Sequence, residues 1–203
     1  VIDAFLILAR EADVEPQIEL FDVNDIVRYE VDNANELLGT RPVSVHLHSD
    51  GPVQLHAPPR VLQVVVSNLV RNACSYTDEG RIDVHVLNDR VVVRDTGIGM
   101  SKDQMKNIWE RYYKADPSRK NTKYGESGLG MAIVHQLMGL HGGTIEVDSK
   151  LGSGTTFTLI FPDEATAPKQ KQPATKSSSS TTSSTAGAAK NTDAALNDHP
   201  KSE

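Results

Sequence analysis

One stretch constrains this chain more than any other: Val91-Val92-Val93-Arg94-Asp95-Thr96-Gly97-Ile98-Gly99-Met100. A β-branched run favours a strand. Here it ends in one carboxylate and a sharp turn with two glycines, an arrangement that presents a single acceptor at the mouth of a pocket. Gly97 and Gly99 give the backbone access to positive φ and leave room for a flat ligand to approach. The same residues also suit a plain Asp-Gly turn, so the flanking sequence has to decide between the two.

Composition narrows the classes. A chain of 203 residues with 38% hydrophobic content can bury one compact domain with some length to spare. Its formal charge of −6 gives no basis for non-specific nucleic-acid binding. Cys74 is the only cysteine, which excludes an intramolecular disulfide and suits a reducing compartment. No apolar run is long enough to span a bilayer and no signal-peptide pattern opens the chain. A soluble, cytoplasmic location with no membrane contact from this chain itself is the expectation. A chain that opens on Val1 rather than Met is expected to be a processed product or a piece of something longer.

Periodicity orders the rest. Residues 1–11 carry an apolar stripe, Ile2, Phe5, Leu6 and Leu8, of helical spacing. They suit either the end of an upstream helix or a simple N-terminal helix of the domain. Residues 18–23 alternate as a strand, and Asn24 or Asp25 is expected to cap a helix reaching about Leu38. Strands follow at 43–48 and 53–56. Pro58-Pro59 open a long helix to about Thr77, with Leu62, Val65, Val66, Leu69 and Ala73 as its buried stripe. Asn68 and Asn72 lie four apart on the edge of that stripe. Asparagine is a poor helix former. Two in mid-helix are either solvated surface residues or oxygen ligands for Mg²⁺ and phosphate contacts.

Strands at 81–87 and 90–94 flank the hairpin turn Asn88-Asp89. Ser101 caps a short helix, and Trp109, Tyr112 and Tyr113 cluster after it. Residues 114–127 form a long polar segment with Lys114, Arg119, Lys120 and Lys123, the length of a lid or binding loop. Gly128-Leu129-Gly130 then open a helix to about Leu140. Free backbone N–H groups and the positive end of a helix dipole converge there, which makes an anion site. Strands at 144–148 and 155–161 enclose the turn Gly152-Ser153-Gly154. From residue 163 Pro, Lys, Gln, Ser, Thr and Ala dominate, and a disordered tail is expected. The chain thus divides into 1–17, the end of an upstream helix with its linker; 18–162, one domain; and 163–203, a low-complexity tail.

Several site types are excluded. There is no P-loop motif, no glycine fingerprint of a Rossmann fold and no Cys/His spacing for a metal. Asp95-Thr96-Gly97 matches the Asp-Thr-Gly of aspartic proteases, but that chemistry needs two such aspartates and only one is present. The ordered set points elsewhere. Asn68-Leu69-Val70-Arg71-Asn72-Ala73 resembles the N box of sensor histidine kinases, and Asp95-Thr96-Gly97-Ile98-Gly99-Met100 their G1 box. Ile108-Trp109-Glu110-Arg111-Tyr112-Tyr113 is similar to the F box. Ser127-Gly128-Leu129-Gly130-Met131-Ala132-Ile133 resembles the G2 box, and Gly152-Ser153-Gly154-Thr155-Thr156-Phe157 the G3 box.

The resemblance implies the Bergerat fold, an α/β two-layer sandwich with a mixed sheet and helices packed on one face. It implies ATP and Mg²⁺ as cofactors. Asp95 would accept the adenine amino group, Thr155 would support that contact through water, and Gly97 and Gly99 would shape the turn. Asn72, with Asn68, would hold Mg²⁺. Tyr76 would line the pocket, and Lys114 with the amides of Gly128, Leu129 and Gly130 would meet the polyphosphate. The family phosphorylates a histidine on upstream dimerisation helices and passes the group to a response regulator. None of the seven histidines here has the acceptor context, so no catalytic residue is assigned within the chain. Ser75 stands where the N box often has lysine, and Glu126 where glycine often precedes the G2 box. These departures keep two alternatives open: a degenerate module that binds a partner kinase or nucleotide without phosphotransfer, and another ATPase of the same fold.

Overall fold

The computed structural model describes residues 17–114 and 128–162. The expected upstream helix, most of the basic loop and the tail lie outside those residues. Strand β1 (Glu19–Asp22) runs directly into helix α1 (Val23–Leu38). The helix cap is Asp22, not Asn24 or Asp25. The Asp22 carboxylate accepts from the Asn24 amide at 2.9 Å and the Val53 amide at 3.2 Å, so it ends the strand and starts the helix together. Asn24 is buried inside the first turn instead, where its side chain donates to Asp22 and to the Gly51 carbonyl.

The remaining elements are β2 (Val43–Ser49), β3 (Gln54–Ala57), α2 (Pro59–Tyr76), β4 (Gly80–Leu87) and β5 (Arg90–Asp95). After them come α3 (Lys102–Asn107), α4 (Gly130–Leu140), β6 (Thr144–Lys150) and β7 (Gly154–Ile160). Ser101 caps α3, as expected, and the structure adds a capping box with Gln104. Other boundaries fall within two residues of those read from periodicity, the usual scatter at frayed ends.

Strands β1 and β3 form a small antiparallel ribbon. The main sheet has the order β2-β4-β5-β7-β6. Only β2 and β4 are parallel, and a parallel neighbour requires a crossover, which α2 supplies. The sheet is therefore mixed, with the helices on one face. Val45, Ile82, Val84, Val91, Val93, Phe157 and Leu159 point under those helices and are buried with Val65, Val66, Leu69 and Leu137. The alternate positions lie on the other face, where His46, His48 and Arg94 are exposed and Asp83 is half-buried.

Two side chains set the helices on the sheet. Asn35 donates to the Val45 carbonyl at 2.9 Å and accepts from its amide at 3.0 Å, so α1 satisfies the backbone of edge strand β2 as a neighbouring strand would. The Arg41 guanidinium donates to the carbonyls of Cys74 (3.1 Å) and Thr77 (2.7 Å), closing the C-terminal end of α2. Cys74 itself is buried, and desolvation pushes its thiol up to about 11, so it stays protonated at neutral pH.

Candidate functional site

Asp95 is the last residue of β5 and only 5% exposed. Its Oδ1 accepts from the Gly97 amide at 2.9 Å and the Thr155 amide at 3.2 Å. Its Oδ2 takes no hydrogen bond among the described residues and is not sealed from solvent. Burial pushes the carboxyl above its ordinary range, and the two N–H donors offset only part of that. A desolvated acceptor with one oxygen tied and the other open is built to receive a donor. Thr155 supports Asp95 by its own backbone amide, directly. Its hydroxyl lies instead against Ser149 Oγ at 2.9 Å.

The glycines of this turn have different jobs. Gly99 has φ +65, the left-handed region that glycine enters freely. Gly97 does not. It is small because a Cβ there would stand 2.2 Å from the Tyr76 carbonyl oxygen. The backbone of the turn is pressed onto the end of α2, and the Ile98 amide donates to that same carbonyl at 3.1 Å.

Helix α2 connects the two ends of the site. Asn68, Asn72 and Tyr76 are spaced four apart and form one half-buried row along it. At about 1.5 Å per residue the row is about 12 Å long. Tyr76 marks the Asp95 end. At the other end, Asn68 Oδ1 would lie 2.7 Å from a Cβ on Gly130, the first residue of α4. Asn68 spends its Nδ2 on the Val64 carbonyl at 2.7 Å, which turns Oδ1 outward as an acceptor toward α4. Asn72, between them, makes no side-chain hydrogen bond among the described residues. Both asparagines thus present uncommitted amide oxygens, a hard-donor pair that suits Mg²⁺.

Leu129 precedes α4 and makes no side-chain cap hydrogen bond, and the first amides of a helix have no intrahelical acceptor. Gly128 is held at the F-box turn by its carbonyl, which accepts from the Tyr112 amide at 2.8 Å. Lys114 is exposed at the last described position before residue 115. The aromatic cluster disperses: Trp109 packs on His135 and Phe157, with ring centroids at 5.2 and 6.4 Å, while Tyr112 is 73% exposed. Sequence reasoning missed Ser149 and Arg41. Each acts through a partner distant in sequence, and neither stands in a recognisable pattern. An apolar cavity of about 420 Å³ lies elsewhere, between β3, the start of α2 and the end of α4, and none of these site residues lines it.

Residues 57–165 match the family of histidine kinase-, DNA gyrase B-, and HSP90-like ATPases, more than half of the chain. The chain belongs to this family. Its ATPase domain is similar to that of the sensor histidine kinase YclK of Bacillus subtilis (strain 168), 38% identical over 152 residues, covering 72% of this chain and 31% of the relative. The sensor-like histidine kinase SenX3 of Mycolicibacterium smegmatis is 30% identical over 154 residues, covering 73% of this chain and 40% of the relative. The chain thus spans well under half the length of these curated relatives. Full-length ShkA, crystallised in complex with AMPPNP, is similar to this chain with a TM-score of 0.67 at 25% identity, covering 82% of this chain and 35% of that one. The mycobacterial sensor histidine kinase MprB shares the fold with a TM-score of 0.61 at 23% identity, covering 71% of this chain and 97% of that one. The mixed sheet with helices on one face is therefore the Bergerat fold.

Proposed function

We propose that residues 18–162 are the ATP-binding catalytic domain of a two-component sensor histidine kinase. The domain transfers the γ-phosphoryl group of ATP to a histidine on adjacent dimerisation helices, which then supply a response regulator. The observation that carries this reading is Asp95: a buried carboxylate with Oδ1 tied to two amides and Oδ2 uncommitted, beside the asparagine row of α2. The AMPPNP complex of ShkA supports an adenine nucleotide here by similarity.

Asp95 Oδ2 accepts the amino group of adenine, and a guanine, with a carbonyl at that place, meets it as a second acceptor. Gly97 and Thr155 hold the carboxylate in that orientation. Tyr76 lines the path along α2. Asn72 and Asn68 offer oxygens to Mg²⁺, which on binding neutralises phosphate charge. The amides of Gly128, Leu129 and Gly130, with Lys114, face the polyphosphate end. Such a domain works by positioning and electrostatic neutralisation and needs little covalent chemistry of its own: the acceptor histidine takes the phosphoryl group and ADP leaves. No helix among the described residues is long and apolar enough to cross a membrane.

The test is calorimetric titration of the chain with ATP and with GTP, each with Mg²⁺. Binding of ATP without GTP is the expected result. Binding of neither, or of both equally, overturns the reading.

A further inference from the structure

Ser149 stands near the end of β6, outside all five sequence motifs, yet its hydroxyl is saturated by the two turns that enclose Asp95. The Met100 amide donates to Ser149 Oγ at 2.8 Å. Ser149 Oγ donates to the Gly154 carbonyl at 3.0 Å. Thr155 Oγ1 lies 2.9 Å away. One hydroxyl has one donor and two acceptor positions, so with the Thr155 hydroxyl donating, every position is used.

Among the described residues the two turns share few other hydrogen bonds. The Gly152 amide donates to the Ile98 carbonyl at 2.8 Å. Among the described residues a further hydrogen-bonded link is Asp95 itself, whose Oδ1 is held by Gly97 from one turn and Thr155 from the other. The backbones of Gly99 and Gly154 also pack close to the facing turn. The direction of Oδ2 therefore depends on how the 97–100 turn sits against the 152–155 turn, and Ser149 sets that relation. We propose that Ser149 is a positioning residue for base recognition: it aims the Asp95 carboxylate at the exocyclic amino group of adenine and so sets the preference for that group. The inference rests on the nucleotide reading above and adds a residue that touches no ligand.

The experiment compares ATP with purine riboside triphosphate, which is ATP lacking the exocyclic amino group, in calorimetric titrations with Mg²⁺. The parent chain is expected to prefer ATP. In Ser149→Ala, ATP affinity falls about tenfold, the worth of one or two lost hydrogen bonds, while affinity for purine riboside triphosphate changes less than about twofold, so the preference collapses. Ser149→Thr, which keeps the hydroxyl, retains the parent's preference. Ser149→Cys keeps the volume but bonds weakly and behaves as Ser149→Ala, giving a second reading should the alanine variant fold poorly. An unchanged ratio, or equal weakening of both ligands, overturns the role of Ser149 and leaves the nucleotide reading standing. A parent that binds neither ligand overturns both.

Discussion

At the scale of single residues, Asp95 shows what burial does to a carboxylate that has no cationic partner. Desolvation raises it, with only two amides opposing. Between the ordinary value of 3.8 and the raised one, the folded chain is protonated and the unfolded chain ionised. Unfolding then releases a proton, so this contribution to stability falls as pH rises through that window. Asp95→Asn cannot titrate and lacks the effect. Its amide oxygen can still accept from Gly97 and Thr155. Urea midpoints at pH 4 and pH 7 should therefore show the variant gaining on the parent as pH rises. The same variant places an N–H where Oδ2 was, donor against donor, and should lose ATP affinity by tenfold to about a hundredfold. Asn72 gives the complementary case. Its side chain makes no hydrogen bond among the described residues, so Asn72→Ala should fold as the parent does, within about 0.5 kcal/mol, and lose the Mg²⁺ dependence of nucleotide binding. Titrations with and without Mg²⁺ would show this; an unchanged dependence counts against the ligand assignment.

Among the elements, α2 decides most. It lies in the β2–β4 crossover, buries Val65, Val66 and Leu69 against the sheet, and carries the Asn68, Asn72 and Tyr76 row on its open edge. The helix has no side-chain cap at its start, and its last turn contains no basic residue. Its C-terminal carbonyls depend on Arg41, thirty-three residues before Cys74 in the chain. Arg41→Leu should cost about 2 kcal/mol of unfolding free energy, since the carbonyls of two buried residues, Cys74 and Thr77, lose a charged donor. Urea denaturation should show a lower midpoint with an unchanged slope. The same fraying would reach Thr77 and the Tyr76 carbonyl on which the 97–100 turn rests.

For the whole molecule, a ligand that binds only the folded domain stabilises all of it by mass action. With Mg²⁺·ATP at a hundred times its dissociation constant, the gain is about 2.7 kcal/mol. For a domain of this size that raises the melting temperature by about 5–10 °C. GTP under the same conditions should leave it unchanged. A calorimetric or fluorescence melt distinguishes the two outcomes without the dimerisation helices or any acceptor.

Local chemistry made much of this protein readable from its residues. Alternation in 43–48 and 81–94 announced strands, the apolar stripe of 59–76 a helix, and Ser101 a helix cap, because each depends on neighbours within a turn or two. The five motifs in order did the same for the family and the class of ligand. Contacts between distant segments stayed hidden. The α1 cap moved to Asp22 because the Val53 amide, thirty-one residues away, needed the same carboxylate. Gly97 is glycine because the Tyr76 carbonyl presses on it, not for a positive φ. Thr155 turned its hydroxyl to Ser149 and gave Asp95 its backbone amide. Periodicity says which face of an element is buried, but only the assembled sheet decides which backbone donor arrives at a given oxygen, and the aim of the Asp95 carboxylate rests on those arrivals.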